Sequence, residues 1–442
     1  MDLEKVEEFC KRVKTLMLEL NNKQIDREEL IQLLVLSLFS LKHIFLLGEP
    51  GVSKTGILEI FSSAIDTSNS FSICIKHDTK YEEIFGDRYR DESGKMFYDS
   101  TNSIVEAHFA IIDETWKGNS KVMNSLLSIM SNYRNIDIMG KGSVEVPLLM
   151  VGGASNELPS DKEVRPLRDR FLFSYRVQKI VGEEHWIKFA SRNYDRDPKL
   201  NTKFTPSEIR EINELSKNVT IPEHIYNTLY KIRQKVVLLE IGVSERKFDG
   251  AIDVFLVSAF LNNRKEVDLS ELFLMRHMMW EEEKDIPLID KILNDEIFGQ
   301  LDQVIKYVES IENNYKRLLS ILDGSLSDFL KFRKIFPYRD MYKFDEQKSN
   351  IQTMVDEFSL LVDQTKSVIS HYNSSVELEK KIVANILVSN KVSPVYQGID
   401  YATIPSLYAE ITNRKEMLEE WLSANGELYS YNMMVNNVYH LR

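Results

Sequence analysis

The sequence predicts an α/β fold over roughly its first 180 residues, a parallel sheet covered by helices, followed by an all-helical remainder. Three observations carry that expectation. Seventeen glycines and eleven prolines in 442 residues are about 4% and about 2.5%, roughly half the usual frequencies of about 7% and about 5%, so the chain is poor in helix breakers. Ten of those glycines (48, 51, 56, 86, 94, 118, 140, 142, 152 and 153) fall within residues 48–153. In that same stretch, short continuous apolar runs alternate with helical patterns, as buried parallel strands alternate with their crossover helices.

Leu3, Val6, Phe9, Val13, Leu16 and Leu20 recur at helical spacing, and Asp26 is placed to cap a second helix running through Leu41. His43–Leu47 then reads as a buried strand ending in glycine, Lys54 to about Ile65 as a helix, and Phe71–Ile75 as a strand. The apolar run Ala107–Ile112 ends in two acids. Residues 119–131 read as a helix, 134–147 as a hairpin turning at Gly140–Gly142, and Leu148–Gly152 as a further strand. Helices follow at 183–192, 205–216, 222–239 and 245–262. Two heptad-like stripes come next, one on Leu301, Val308, Ile311, Tyr315, Leu318 and Leu322, the other on Ile351, Met354, Phe358, Leu361, Val368 and Tyr372. They predict two long helices paired as an antiparallel hairpin. A last helix near 406–424 ends at the C-cap pair Asn425–Gly426. The expected domains are an α/β core at 1–180, an all-α domain at 181–296 and a helical arm at 297–442.

Composition excludes several classes. A hydrophobic fraction of 43% supports a sizeable core rather than a disordered chain. The net charge of −12 argues against a surface built to coat nucleic acid or anionic membranes. The longest apolar stretch, Ile31 to Leu41, carries Gln32, Ser37 and Ser40 and falls short of the about 20 residues that span a bilayer. The N-terminus lacks an apolar signal region. Cys10 and Cys74 make neither a disulfide scaffold nor a zinc site, and the eight histidines show no ligand spacing. The expectation is a cytoplasmic, helix-rich globular protein without a membrane span.

Four motifs bear chemistry. Gly48, Glu49, Pro50, Gly51, Val52, Ser53, Lys54 and Thr55 lie between the first strand and its helix. Such a loop aims backbone N–H groups and a helix N-terminus at a phosphate, with Lys54 reaching the outer phosphates and Thr55 ligating Mg²⁺. Ser53 stands where the usual pattern has its last glycine. Asp113 and Glu114 end the next apolar run, where one acid can hold Mg²⁺ and its neighbour can polarise a water as general base. Asn156 follows a neighbouring strand, placed either to orient that water or as a turn residue before Pro159. Arg168 and Arg170 flank Asp169 among apolar residues. A guanidinium there can stabilise charge on a neighbouring subunit's nucleotide or form a local salt bridge.

These elements in this order resemble the AAA+ ATPases, and the sequence between them resembles the MoxR family, in particular its regulatory ATPase variant A (RavA) branch. The matching stretches are Leu47–Thr55, Glu82–Gly86, Ile112–Lys117, Ala154–Pro159, Leu167–Phe171, Val243–Lys247, Ser258–Arg264 and the region of Trp280, together covering about residues 1–300. The resemblance implies an AAA+ P-loop core, an α-helical lid and ATP hydrolysis with Mg²⁺ in a homohexamer that remodels or assembles a protein partner, such as a von Willebrand factor A-domain protein. By the same resemblance Lys54 and Thr55 belong to Walker A, Asp113 is the Walker B magnesium ligand and Glu114 the catalytic base. Asn156 is sensor 1, Arg170 the trans arginine finger with Arg168 competing for that role, and Arg246 a cis sensor 2 arginine. Residues 94–106 and 134–147 correspond to pore-facing inserts, so that Met96, Phe97 and Tyr98 either meet the partner or pack in the core. RavA proteins carry a β-rich module between their long C-terminal helices that binds a lysine decarboxylase. Here only residues 323–343 separate the two stripes, so that partner is not carried over.

Two other functions compete. One is a nucleic-acid motor or loader, against which stand the acidic net charge and only Arg134 and Lys141 as basic residues near the hairpin. The other is an interaction scaffold whose assembly is set by nucleotide, for which the helical arm offers a docking surface.

Overall fold

The computed structural model describes residues 3–66, 69–90, 96–131, 133–138, 142–159, 164–299, 307–322, 341–388 and 403–423. These residues divide into two compact units, one comprising Met1–Ile297 with Lys381–Ser393, the other Phe298–Lys380 with Pro394–Arg442.

The first unit begins with helices α1 (Leu3–Lys23) and α2 (Glu28–Phe39) and strand β1 (His43–Leu47). Asp26 does not cap α2. The position before the helix is Arg27, while Asp26 takes a left-handed backbone (φ 57°) and its Oδ2 accepts from the Val181 N–H at 2.9 Å. There follow α3 (Lys54–Ser62), β2 (Ser70–Cys74), α4 (Tyr81–Phe85), β3 (Asp87–Arg90), β4 (Met96–Asp99), β5 (Phe109–Asp113), α5 (Ser120–Ile129), β6 (Asn135–Ile138), β7 (Gly142–Glu145), β8 (Met150–Ser155), α6 (Arg165–Arg168) and β9 (Phe171–Arg176). Five strands form one parallel sheet in the order β2-β5-β8-β1-β9. β1 and β8 are buried throughout, which is why their sequences run apolar without alternation.

Strand β9 and the antiparallel pair β3–β4 had no counterpart among the expected elements. β9 reads FLFSYR with no turn residue at either end, and only its pairing beside β1 makes it a strand. Within β8, a side chain on Gly152 would lie 2.7 Å from Leu58 of α3, so glycine there lets the helix settle on the sheet. Gly140 and Lys141 of the expected hairpin turn, Gly94 and the Asn425–Gly426 cap lie outside the described residues, while Gly142 opens β7 with φ 80°. Of the three aromatic-hairpin residues, Tyr98 donates its hydroxyl to the Phe85 carbonyl and packs against the main core. Phe97 instead stacks on Tyr89 at 5.6 Å and remains exposed; the Met96 side chain lies outside the described residues.

The helices α7 (Glu183–Ala190), α8 (Pro206–Ser216), α9 (Glu223–Leu238), α10 (Glu245–Leu261) and α11 (Ile286–Ile297) complete this unit's chain up to 297. Residues 381–388 rejoin it. The buried Asn385 donates to Ser270 Oγ at 3.1 Å and to Glu271 Oε1 at 2.7 Å, and accepts from Asn262 Nδ2 at 2.8 Å.

In the second unit, α12 (307–322), α13 (Met341–Ala384) as far as Lys380, and α14 (Thr403–Ser423) share one apolar core. Tyr315 meets Phe358, and Arg317 pairs with Glu357 at 2.8 Å, contacts that set α12 and α13 antiparallel. α14 adds a third face through Ile404, Ile411 and Leu418, which makes this a three-helix assembly rather than a two-helix hairpin. No helix among the described residues is long and apolar enough to cross a membrane.

Candidate active site

The chemistry-bearing residues leave the C-terminal ends of adjacent parallel strands, where open α/β sheets present their ligand crevice. The loop 48–53 follows β1, Asp113 ends β5, and Asn156 follows β8, the strand between them. A side chain on Gly48 would sit 2.6 Å from the Val177 carbonyl, so only glycine lets the loop pass that close. Ser53 adopts φ 67° and Gly51 φ 84°, left-handed positions that wind the loop into α3.

Lys54 is nearly buried, and its Nζ donates to the Gly48 carbonyl at 2.7 Å, the Glu49 carbonyl at 3.1 Å and Asn156 Oδ1 at 2.7 Å. Burial lowers its pKa, an effect that Asp113 and Glu114 oppose. Thr55 Oγ1 donates to Asp113 Oδ2 at 2.8 Å, and Asp113 Oδ1 accepts from the Glu114 N–H at 2.9 Å. Asn156 Nδ2 donates to Glu114 Oε1 at 3.1 Å. The Lys117 ammonium lies 3.2 Å from Glu114 Oε2, an ion pair in which Oε2 lacks an aligned hydrogen bond. Glu114 itself has φ 53°, the kind of unfavourable backbone that clusters at functional sites. Lys54, Thr55, Asp113, Glu114 and Asn156 are thus brought into one hydrogen-bonded set, although they come from three strands.

The Thr55 hydroxyl and Asp113 carboxylate are hard oxygen donors side by side, a set that fits Mg²⁺ better than a softer metal. Among the described residues no group of three or more His, Cys, Asp or Glu could hold a metal by itself.

The arginines separate. Arg168 is buried in its own chain, bonded to the Glu281 backbone carbonyl, 3.6 Å from the Glu281 carboxylate and over the Trp280 ring at 5.7 Å. Arg170 makes no such commitment, and its Nε has no partner among the described residues. The expectation that Arg246 reaches its own chain's phosphates requires correction. Arg246 Nη1 pairs with Asp169 Oδ2 at 2.5 Å, two residues before β9, and β9 starts level with His43 at the N-terminal end of β1. The P-loop leaves the opposite end of that strand. The first turn of α10 therefore meets the far edge of the sheet, a placement set by long-range packing that the local VSERK pattern does not encode.

Two residues near the site were not among the expected site residues. Arg27 donates to the Val52 carbonyl at 3.4 Å and the Gln178 carbonyl at 2.9 Å, tying the loop to the segment after β9. Thr115 donates from its buried hydroxyl to the carbonyls of Ile112 and Ala154, locking β5 to β8 behind the acids. A Walker-type acid pair followed by threonine is a local cue for the second; a lone arginine before a helix is none for the first.

A family model described as the MoxR domain in the MoxR–vWA–β-propeller ternary systems matches residues 11–217, and one described as an AAA lid domain matches residues 224–293. An uncharacterised protein of Methanocaldococcus jannaschii is 30% identical over 311 residues, 69% of this chain and 80% of that protein. The chaperone MoxR1 of Mycobacterium tuberculosis is 31% identical over 166 residues, 36% of this chain and 42% of its own. A crystal structure of a candidate ATPase from Cytophaga hutchinsonii aligns with a TM-score of 0.54 over 66% of this chain and 96% of its own, at 18% identity, a likeness of fold alone.

Proposed function

We propose, from the premise that this chain belongs to the MoxR family of AAA+ ATPases, that it hydrolyses ATP with Mg²⁺ in a ring of identical subunits, and that it spends the cycle on remodelling or assembling a protein partner. The observation that carries the catalytic part is the bonded line Lys54–Asn156–Glu114 beside the Thr55–Asp113 pair. Lys54 and the N–H groups of residues 48–55 bind the phosphates. Thr55 and Asp113 would hold Mg²⁺, which supplies positive charge against the phosphate oxygens. Glu114 takes the proton of the attacking water, and Asn156 fixes the Glu114 carboxylate and the Lys54 ammonium relative to each other.

We read residues 1–180 as the core, 181–296 as the lid and 297–442 as the arm, with a RavA-like branch placement resting on Val243–Lys247 and Ser258–Arg264. Assembly is supported by α7, none of whose residues is buried: Trp186 is 60% and Phe189 48% exposed, an apolar face suited to a second copy. In such a ring Arg170, and with it Arg246, act on the adjacent subunit's nucleotide. The partner class we favour is a von Willebrand factor A-domain protein, after the ternary systems for which the matching family model is described.

The test is a pair of variants. Lys54→Ala should lose ATP binding, read with a fluorescent analogue. Glu114→Gln should keep binding while turnover falls about 100-fold or more, the scale of a removed general base. Hydrolysis by Glu114→Gln at the parent rate would remove Glu114 from the mechanism.

A further inference from the structure

The carboxylate read as the general base is engaged at both of its oxygens. Glu114 Oε1 accepts from Asn156 Nδ2 at 3.1 Å, while Oε2 is shut off from solvent with the Lys117 ammonium 3.2 Å away. A base that takes a proton from water needs an oxygen that the water can approach to about 2.6–3.2 Å. Oε2 offers no such approach as it stands. The contact at Oε1 belongs to the line that runs through Asn156 to Lys54 and the phosphate loop. The contact at Oε2 lies outside that line and holds the base from the other side.

The loop after β5 is built to place this ammonium. Glu114, with its left-handed φ of 53°, opens a turn in which its carbonyl accepts from the Lys117 N–H at 3.0 Å. Such a turn brings its first and fourth residues together. The backbone between and beyond them is anchored. Thr115 donates to the Ile112 and Ala154 carbonyls, and the Trp116 ring lies 4.8 Å from Phe45 and 5.9 Å from Phe171. Asn119 caps α5 by accepting from the Val122 N–H and donates to the Thr79 carbonyl, each at 3.1 Å. The Lys117 side chain, by contrast, is 51% exposed, against 20% for that of Glu114. A flexible four-carbon stem on a fixed backbone lets the ammonium leave the carboxylate while the loop stays in place.

We propose that Lys117 is a positioning residue that restrains hydrolysis. Its ammonium keeps the Glu114 carboxylate closed, and the reaction proceeds when that side chain swings out and frees Oε2 for the attacking water. The inference rests on the reading of Glu114 as the base and adds a control on that base. The strength of the restraint is bounded by the ion pair. A half-exposed pair shifts an equilibrium by at most about fivefold, the equivalent of roughly 1 kcal/mol. Lys117 is therefore a brake on idle turnover rather than an off switch.

The experiment measures steady-state ATP hydrolysis by the full chain. Lys117→Met should raise kcat about fivefold and leave KM for ATP within about twofold of the parent, since no phosphate contact is touched. Lys117→Arg, which keeps the charge, should retain most of the restraint. Urea midpoints and sedimentation verify that fold and assembly match the parent; if those of Lys117→Met do not, Lys117→Gln carries the same comparison. In a Glu114→Gln background Lys117→Met should gain nothing, because the lysine acts through that carboxylate. A gain in that background overturns the proposal, as does a kcat for Lys117→Met that is unchanged or lower. Loss of hydrolysis in Glu114→Gln with no rise in Lys117→Met removes the restraint alone. Hydrolysis by Glu114→Gln at the parent rate removes the reading of the base, and the restraint with it.

Discussion

Lys54 Nζ and Asn156 Oδ1 lie 2.7 Å apart, while the nitrogen of the same Asn156 amide is 3.1 Å from Glu114 Oε1. An ammonium offers only donors and a carboxylate only acceptors, so the residue between them must accept at one end and donate at the other. Asparagine does both without adding charge. That explains why a neutral amide, rather than a third acid, stands at the end of β8.

Asn156→Asp should separate these two contacts. The new carboxylate still accepts from Lys54 but repels Glu114, raising the pKa of the base and misplacing it. Turnover at neutral pH should fall by about 100-fold with ATP affinity within a few-fold of the parent. Steady-state hydrolysis and equilibrium nucleotide binding read the two effects separately, and an unchanged turnover would exclude Asn156 from catalysis.

Gly48→Ala tests the close passage of the loop. Val177 is pinned because its N–H donates to the Leu47 carbonyl at 2.7 Å, so the carbonyl that the new methyl meets cannot easily retreat. The expected cost is about 1–3 kcal/mol in urea denaturation, with a parallel loss of nucleotide affinity as the loop moves out.

Arg168 and Arg170 should respond in opposite ways. Arg168→Ala removes a buried guanidinium from Glu281 and Trp280 and should destabilise the chain by about 2–4 kcal/mol. Arg170→Ala should leave stability within about 1 kcal/mol while abolishing the hydrolysis that depends on assembly. Denaturation curves beside hydrolysis rates at several protein concentrations make the comparison.

Glu271 gives stability a pH dependence. Its carboxyl is buried, and burial raises its pKa, with the Arg264 guanidinium opposing. A folded pKa above the unfolded one means that the folded state binds this proton more tightly than the unfolded chain does. That contribution is complete below the unfolded pKa and is lost as pH rises through the raised folded value. Glu271→Gln keeps a side chain able to accept from Asn385 and should flatten the decline in stability as pH rises above the usual carboxylate range. Urea midpoints across that window measure the slope.

The sequence by itself determined which residues gather at the C-terminal ends of β1, β5 and β8. β1, the loop 48–55 and α3 are one continuous segment, and the apolar run before Asp113 announces a strand whose last residue must face the same crevice. Local periodicity and the rule that parallel strands present their C-terminal ends together suffice to gather Lys54, Thr55, Asp113, Glu114 and Asn156. The stripes of α12 and α13 were legible for the same reason: each is a repeat within its own segment. Only the tertiary structure decided what depends on a distant partner. β9 is a strand because β1 lies beside it, and α14 belongs to the helical core because α12 and α13 leave an apolar face for it. Arg246 lies by Asp169 because helix α10 packs against the N-terminal edge of the sheet. Residue spacing fixes which face of an element is apolar; which end of another element that face meets is settled by packing across the whole fold.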